Sequence, residues 1–200
     1  AVLFFRWRSC LYGTEQYWHG ILNHDGIPRR RYYEIAGFAS EVARLSEALD
    51  GSFVKSRVAI LNSYEQNWAL QIQPQVEGLG WWDQVRRFDS ALGRRALGGD
   101  IVPITTNLSS FQGVFVPSWY ILTDTDAERL AEYVRNGGTL VLNPRTGVKN
   151  ADNTCRPEPL PGPLAEVAGV EVDDYSPILG DGFLIRMADG REFEAHVWAD

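Results

Sequence analysis

An α/β fold built on a parallel sheet is what this sequence predicts, and three observations carry the prediction. Short runs rich in β-branched residues recur at 55–61 (KSRVAIL), 100–104 (DIVPI), 113–117 (GVFVP) and 139–143 (TLVLN), with helix-length stretches between them. Alternation of that kind implies parallel strands joined by right-handed crossovers. Glycine pairs, Gly98 with Gly99 and Gly137 with Gly138, close two of the intervening stretches, as expected of helix stops. The opening run Ala1, Val2, Leu3, Phe4, Phe5 is continuously apolar, in the manner of a strand buried on both faces.

In chain order, the apolar run gives way at once to Arg6, Trp7, Arg8, Tyr12, Glu15, Gln16, Tyr17, Trp18 and His19. The carboxyl end of a buried strand thus delivers groups able to hydrogen-bond and stack, and parallel α/β proteins place their chemistry at such ends. A helix is predicted to begin near Arg30 to Tyr32, with Phe38, Val42, Leu45 and Leu49 as one apolar stripe and Asp50–Gly51 as its stop. After the strand at 55–61 comes a polar and aromatic loop, then a helix over 81–97 with Trp82, Val85, Phe88 or Asp89, and Leu92 as its register. A further helix over 124–136 has Asp124 or Thr125 as N-cap and Leu130, Tyr133 and Val134 facing the sheet. Residues 144–163 contain the proline-rich RPEPLPGP and read as a surface excursion. A short helix comes next, over 164–170, and 182–198 reads as a hairpin whose Asp189–Gly190 dipeptide suits a type I′ turn.

Composition narrows the function. The 200 residues carry a net charge of −7 with scattered acids, which argues against a nucleic-acid surface or a polybasic membrane anchor. The single basic run, Arg29 to Arg31, reads as the start of a solvated helix face. Seven Trp are many for a core of this size, and surplus indole serves sugar stacking or subunit contacts as well as packing. Cys10 and Cys155 stand far apart with no CxxC pattern, suggesting reduced thiols and a cytoplasmic setting. No apolar run approaches the ~20 residues that span a bilayer. Ala1 falls inside one strand pattern and Asp200 closes another, which reads as a segment of a longer chain.

Residues 4–45, FFRWRSCLYGTEQYWHGILNHDGIPRRRYYEIAGFASEVARL, resemble the last barrel strand and helix of the family 42 glycoside hydrolases, the microbial β-galactosidases. Gly13, Glu15 and His19, then His24, Asp25, Gly26, the basic run and Glu34, carry the likeness. The remainder of the chain resembles that family's trimerisation domain. The resemblance implies the last βα unit of a (β/α)8 TIM barrel over residues 1–51, a flavodoxin-like domain similar to class I glutamine amidotransferases over 52–180, and a β-hairpin over 181–200. It also implies retaining hydrolysis of terminal β-D-galactosides, or of another sugar with an axial hydroxyl such as arabinopyranose, by a homotrimer; with no GxGxxG or GxxxxGK(S/T) motif and with the charge balance above, no cofactor, nucleic acid or membrane is expected as a partner.

Four constellations could carry chemistry. Glu15 and His19 could each bond neighbouring hydroxyls of a hexose while Trp7 or Trp18 covers an apolar ring face; the same pair could merely tie down a loop. In the family, a Glu and a His of this loop contact the galactosyl group. Many members have two residues between them, whereas Gln16, Tyr17 and Trp18 intervene here, so Trp18 is an alternative occupant. A paired-carboxylate hydrolase needs two acids ~5 Å apart for retention; Glu15 is one candidate without a second, and the resemblance places the catalytic glutamates before Ala1. A nucleophile of the amidotransferase type would be a Cys at a sharp turn after a strand; the turn after residues 139–142 offers Asn143 and Pro144, while Cys155 lies a dozen residues on. A metal could draw on His19, His24 and Asp25, but HDG reads more simply as a turn. The competing class is an assembly or binding module without chemistry, for which Trp68, Trp81, Trp82 and Trp119 would be exposed subunit contacts.

Overall fold

The computed structural model describes residues 2–200, which fall into two compact units, Ala1–Val54 and Lys55–Asp200.

In the first unit one helix forms, α1 (Arg30–Leu49). The amide of Asp50 closes it on the Ser46 carbonyl at 2.7 Å, and Gly51 turns the chain away at φ +72°. The predicted stripe lies along it, yet Phe38, Val42, Leu45 and Leu49 are each 42–54% exposed. The strand expected at 1–5 is a correction. Ala1 lies outside the described residues, residues 2–5 form no strand, and Leu3 is 93% exposed. A strand needs a neighbour to take its ladder bonds, and residues 2–5 have none among the described residues. Pairing occurs instead just downstream, in the parallel bridge between Arg8 and Leu22.

The second unit has a four-stranded parallel sheet in the order β2–β1–β3–β4: β1 (Val58–Leu61), β2 (Gly99–Val102), β3 (Gly113–Val116) and β4 (Thr139–Leu142). That is the flavodoxin-like order. β1 is central, and Ala59, Ile60 and Leu61 are fully buried, which is why its sequence is an unbroken apolar run rather than an alternation. Three helices accompany these strands: α2 (Tyr64–Ile72), α3 (Trp81–Gly93) and α4 (Asp124–Arg135). Trp81, Val85, Leu92, Ala127 and Leu130 join the core around β1 and β3.

Several expectations are corrected by these elements. The loop after β1 contains α2. Its register is set by tertiary contact: the buried Gln66 side chain accepts from the Ile121 amide and donates to the Ile121 carbonyl, both at 2.8 Å. In α3 the inward residue is Trp81 with Gln84, not Trp82, and the helix ends at Gly93. The cap of α4 is Thr123, whose hydroxyl accepts from the Asp126 amide at 3.0 Å. Trp81 and Trp119 are buried in an edge-to-face pair at 5.8 Å and cannot be surface contacts; Trp68 and Trp82 do reach solvent. The stretch after β4 is no excursion at its start, since Arg145, Thr146, Gly147 and Val148 are buried beside residues 119–122, with Gly147 N donating to Trp119 O and Lys149 N to Tyr120 O. Leu160–Pro161 is a cis X-Pro bond, and a 3-10 turn (Gly162–Leu164) runs into the short α5 (Ala165–Ala168). Two antiparallel pairs complete the unit. β5 (Ser176–Pro177) pairs with β8 (Trp198–Ala199), and β6 (Phe183–Arg186) with β7 (Glu192–Ala195). The hairpin turns at Asp189–Gly190 as predicted, but only Gly190 has positive φ, and Met187 N donates to Arg191 O at 2.8 Å. This is a three-residue loop with a left-handed Gly, not a type I′ turn.

Candidate functional site: the loop over residues 6–27

The loop is a hairpin-like excursion whose base is a short parallel pairing. The amides of Ile21 and Leu22 donate to the carbonyls of Arg6 (2.7 Å) and Trp7 (2.8 Å), and Ser9 N returns to Leu22 O at 3.1 Å. Gly20 makes the pairing possible. A Cβ there would lie 2.6 Å from the Arg8 carbonyl carbon and from the Ser9 nitrogen, closer than any side chain tolerates. The Gly20 amide donates to the buried Ser9 hydroxyl at 2.9 Å. Arg8 reaches across to the His24 carbonyl through Nε (2.9 Å) and Nη2 (2.5 Å), and the His24 ring bonds the Gln16 carbonyl at 2.9 Å. His24 is therefore a tie within the loop.

Glu15 is held by Arg6, whose guanidinium also contacts the Cys10 sulfur. The carboxylate stays half exposed, while Arg6 is four-fifths covered. An ion pair this open adds little stability, but it orients the acid. A turn bond from Trp18 N to Glu15 O at 3.0 Å brings Glu15 and Trp18 into one loop turn, with His19 next in sequence and exposed. No longer helix forms, so Glu15 stands in a tight turn rather than one helical turn away from His19. Trp7 and Trp18 both present most of their surface to solvent, and Trp7 meets Tyr32 edge-on at 6.1 Å. The turn offers an oriented acceptor beside an exposed indole, which is chemistry for gripping a polyol; Trp7 packs instead on Tyr32. Sequence reasoning missed Arg6 as the partner of Glu15, because pairing over nine positions has no periodic signature.

The basic run is locally committed. Arg29 forms a bidentate pair with Asp25 (2.7 and 2.8 Å), Arg30 pairs with Glu34 one turn on, and Arg31 bonds Asn23. Arg29 and the Ile27 amide hold the Asp25 carboxyl well below the usual carboxylate range. Gly26 takes φ +73°, as the turn reading of HDG requires. No group of three or more His, Cys, Asp or Glu capable of holding a metal occurs among the described residues.

The second unit has a different surface. A groove of about 1100 Å³ runs along α4 past Asn107, Glu128, Arg129 and Tyr133, an open channel lined by neither thiol nor imidazole. The residue turned sharply after β4 is Arg145, at φ +64°. The sharp turn after β4 thus carries an arginine and no thiol, and Cys155 lies apart and exposed. Among the described residues no helix is long and apolar enough to cross a membrane.

Comparison with known proteins gives these two units a family. Residues 56–200 match the β-galactosidase trimerisation domain and residues 1–45 the β-galactosidase family model. The β-galactosidase BgaA of Clostridium cellulovorans is 40% identical over 200 residues, covering all of this chain and 30% of the relative. The enzyme Bga of Halorubrum lacusprofundi is 39% identical over 175 residues, 88% of this chain and 25% of the relative. The solved β-galactosidase of the same haloarchaeon superposes with a TM-score of 0.86 at 35% identity over 98% of this chain and 29% of that one. That of Bacillus circulans sp. alkalophilus reaches 0.91 at 23% identity, covering 100% and 31%, a likeness of fold. The chain thus spans roughly a third or less of the relatives it matches, with the end of the TIM barrel preceding the parallel-sheet domain. On these matches the chain belongs to the family 42 glycoside hydrolases, the β-galactosidases.

Proposed function

We propose that the intact protein is a retaining β-galactosidase that hydrolyses terminal non-reducing β-D-galactosides. Residues 1–51 supply one wall of its substrate site, residues 52–180 its trimerisation domain, and residues 181–200 a β-hairpin. Glu15 and His19 bind galactosyl hydroxyls, and Trp18 and Trp7 cover the sugar's apolar faces. The acid/base and nucleophile are glutamates elsewhere in the full-length protein, so no residue of this chain is a catalytic carboxylate. Neither a cofactor nor a metal takes part, and the enzyme works as a cytoplasmic homotrimer, apart from nucleic acid and membrane.

The observation that carries this reading is the Arg6–Glu15 pair, which leaves a half-exposed carboxylate fixed in the same turn as Trp18. A carboxylate so held accepts from sugar hydroxyls without first surrendering side-chain freedom. Bonds that tighten as the ring distorts contribute to kcat rather than to binding alone. In the full-length enzyme, Glu15→Ala is expected to lower kcat/KM on a nitrophenyl β-galactoside by roughly 10- to 100-fold, the worth of a charge-assisted hydrogen bond of about 1.5–3 kcal/mol. An unchanged kcat/KM overturns the assignment.

For residues 55–200 alone, an assembly role fits better than chemistry. Tyr64 lies 6.1 Å from Trp68 and 6.3 Å from Trp82, and all three reach solvent, a cluster of the composition that interface cores favour. Light scattering of the full-length protein at micromolar concentration is expected to give a trimer; a strict monomer contradicts this.

A further inference from the structure

The guanidinium of Arg145 is the most anomalous group in the second unit. The residue is 4% exposed, and its Nε and Nη1 are enclosed without a hydrogen-bond partner. Buried cations are ordinarily paired. The nearby acid is already engaged, since the Asp200 carboxylate accepts from the Arg145 backbone amide and from Trp198 Nε1, both at 2.6 Å. Aromatic rings surround the charge instead, with centres 4.1 Å (Tyr175), 5.1 Å (Trp198) and 5.9 Å (Tyr120) from the guanidinium carbon. Tyr175 stacks on Trp198 and is itself half exposed, so one wall of the enclosure faces solvent.

We infer that Arg145 is a carboxylate-binding site: an arginine fixed at the turn after β4, with rings against its faces and unsatisfied N–H groups left to receive a planar oxyanion. Three features favour that ligand. Cation–π contacts hold the guanidinium but satisfy none of its N–H groups. The enclosed donors, Nε–H and Nη1–H, lie on opposite edges of the guanidinium, and each forms with Nη2 a planar fork that a carboxylate matches in two parallel bonds. The positive φ of Arg145 is a conformation that non-glycine residues rarely adopt, so the position is held there by its surroundings rather than by local preference. The carboxylate comes either from an Asp or Glu of a neighbouring protomer or from a small free acid, and both would be read by the same fork. Carboxylate binding at Arg145 is independent of galactoside binding by the loop over 6–27.

The test uses the full-length protein. Tryptophan emission is titrated with sodium acetate and sodium succinate against sodium chloride at equal ionic strength, and mass is followed by light scattering on dilution. A free acid as ligand gives a saturable emission change in carboxylate alone, lost in Arg145→Met and weakened at least tenfold in Arg145→Lys, which keeps the charge but not the fork. A protomer carboxylate gives no titration in the wild type; Arg145→Lys and Arg145→Met then dissociate at a protein concentration at least tenfold higher than the wild type. Should Arg145→Met fail to fold, the wild-type titration and the Lys variant still decide. No carboxylate response in the wild type, together with an Arg145→Lys protein of unchanged assembly, overturns the proposal.

Discussion

Residues 1–54 and 55–200 reach order by different means. The second unit closes its own core: Ile60, Leu61, Val114, Val116, Leu122 and Leu130 are fully buried, in a sheet whose central strand is covered on both faces. The first unit buries little beyond Ser9, Gly20 and Leu22, and its 20-residue helix has no buried residue. What organises it is polar: Arg8 on the His24 carbonyl, His24 on Gln16, Arg6 on Glu15, Arg29 on Asp25. A loop and a scaffold thus solve different problems. Hydrophobic burial of a few side chains is worth several kcal/mol, whereas exposed ion pairs add at most about 1 kcal/mol each. A loop held by such pairs is positioned rather than stabilised, and its apolar helix stripe is left for the rest of a barrel to cover.

Substitutions in each unit separate the two modes of ordering. Leu130→Ala, at a fully buried site on α4, is expected to cost about 2–5 kcal/mol in urea unfolding of the second unit; a cost below roughly 1 kcal/mol would mean that the core is not the source of its stability. Gly20→Ala is expected to displace the backbone of residues 8–9 and to reduce galactosidase kcat/KM more than tenfold, with circular dichroism of the sheet domain unchanged. Loss of both together would show that the loop and scaffold are not separable. Thr123→Ala removes the α4 cap and should cost about 1 kcal/mol, with activity retained.

A smaller effect concerns pH. Because the folded-state pKa of Asp25 is depressed by Arg29 and the Ile27 amide, its contribution is present above the ordinary aspartate value near ~4 and is lost as pH falls through the folded value. Asp25→Asn should therefore flatten the acid limb of loop stability slightly and leave neutral-pH stability of the sheet domain unaltered, as read by amide exchange at residues 23–29. An unaltered acid limb would show that the pair is only geometric.

The scaffold was more legible in sequence than the site. Four strands and α4 announced themselves through β-branched runs and the Gly137–Gly138 pair, because their burial is local and periodic, whereas Gly98–Gly99, expected to stop α3, lies beyond its end at Gly93 and leads into β2. The helix α2 did not, since its buried face is Gln66, Ala69 and Leu70, and a glutamine reads as surface until the backbone of Ile121 is known to meet it. Trp81 and Trp82 are adjacent and chemically alike, so only the sheet decides which one is buried. The same holds for residues 145–148, where proline-rich neighbours suggested an exposed loop, while the backbone bonds to Trp119 and Tyr120 draw the start of the segment inward. In the first unit, Glu15, Trp18, His19 and Trp7 could be named from residue type and the family resemblance. Arg6 as the group that aims Glu15 could not, because nothing but three-dimensional proximity links them.

If Glu15, oriented by Arg6, touches the sugar, a crystal structure of the full-length enzyme with galactose bound will show it. A Glu15 carboxylate oxygen is expected within about 3.2 Å of a galactosyl hydroxyl, with the Arg6 contact retained. Galactose bound with Glu15 well beyond hydrogen-bond reach, or with its carboxylate turned away from the sugar, would refute the assignment of this loop as a galactosyl-binding wall.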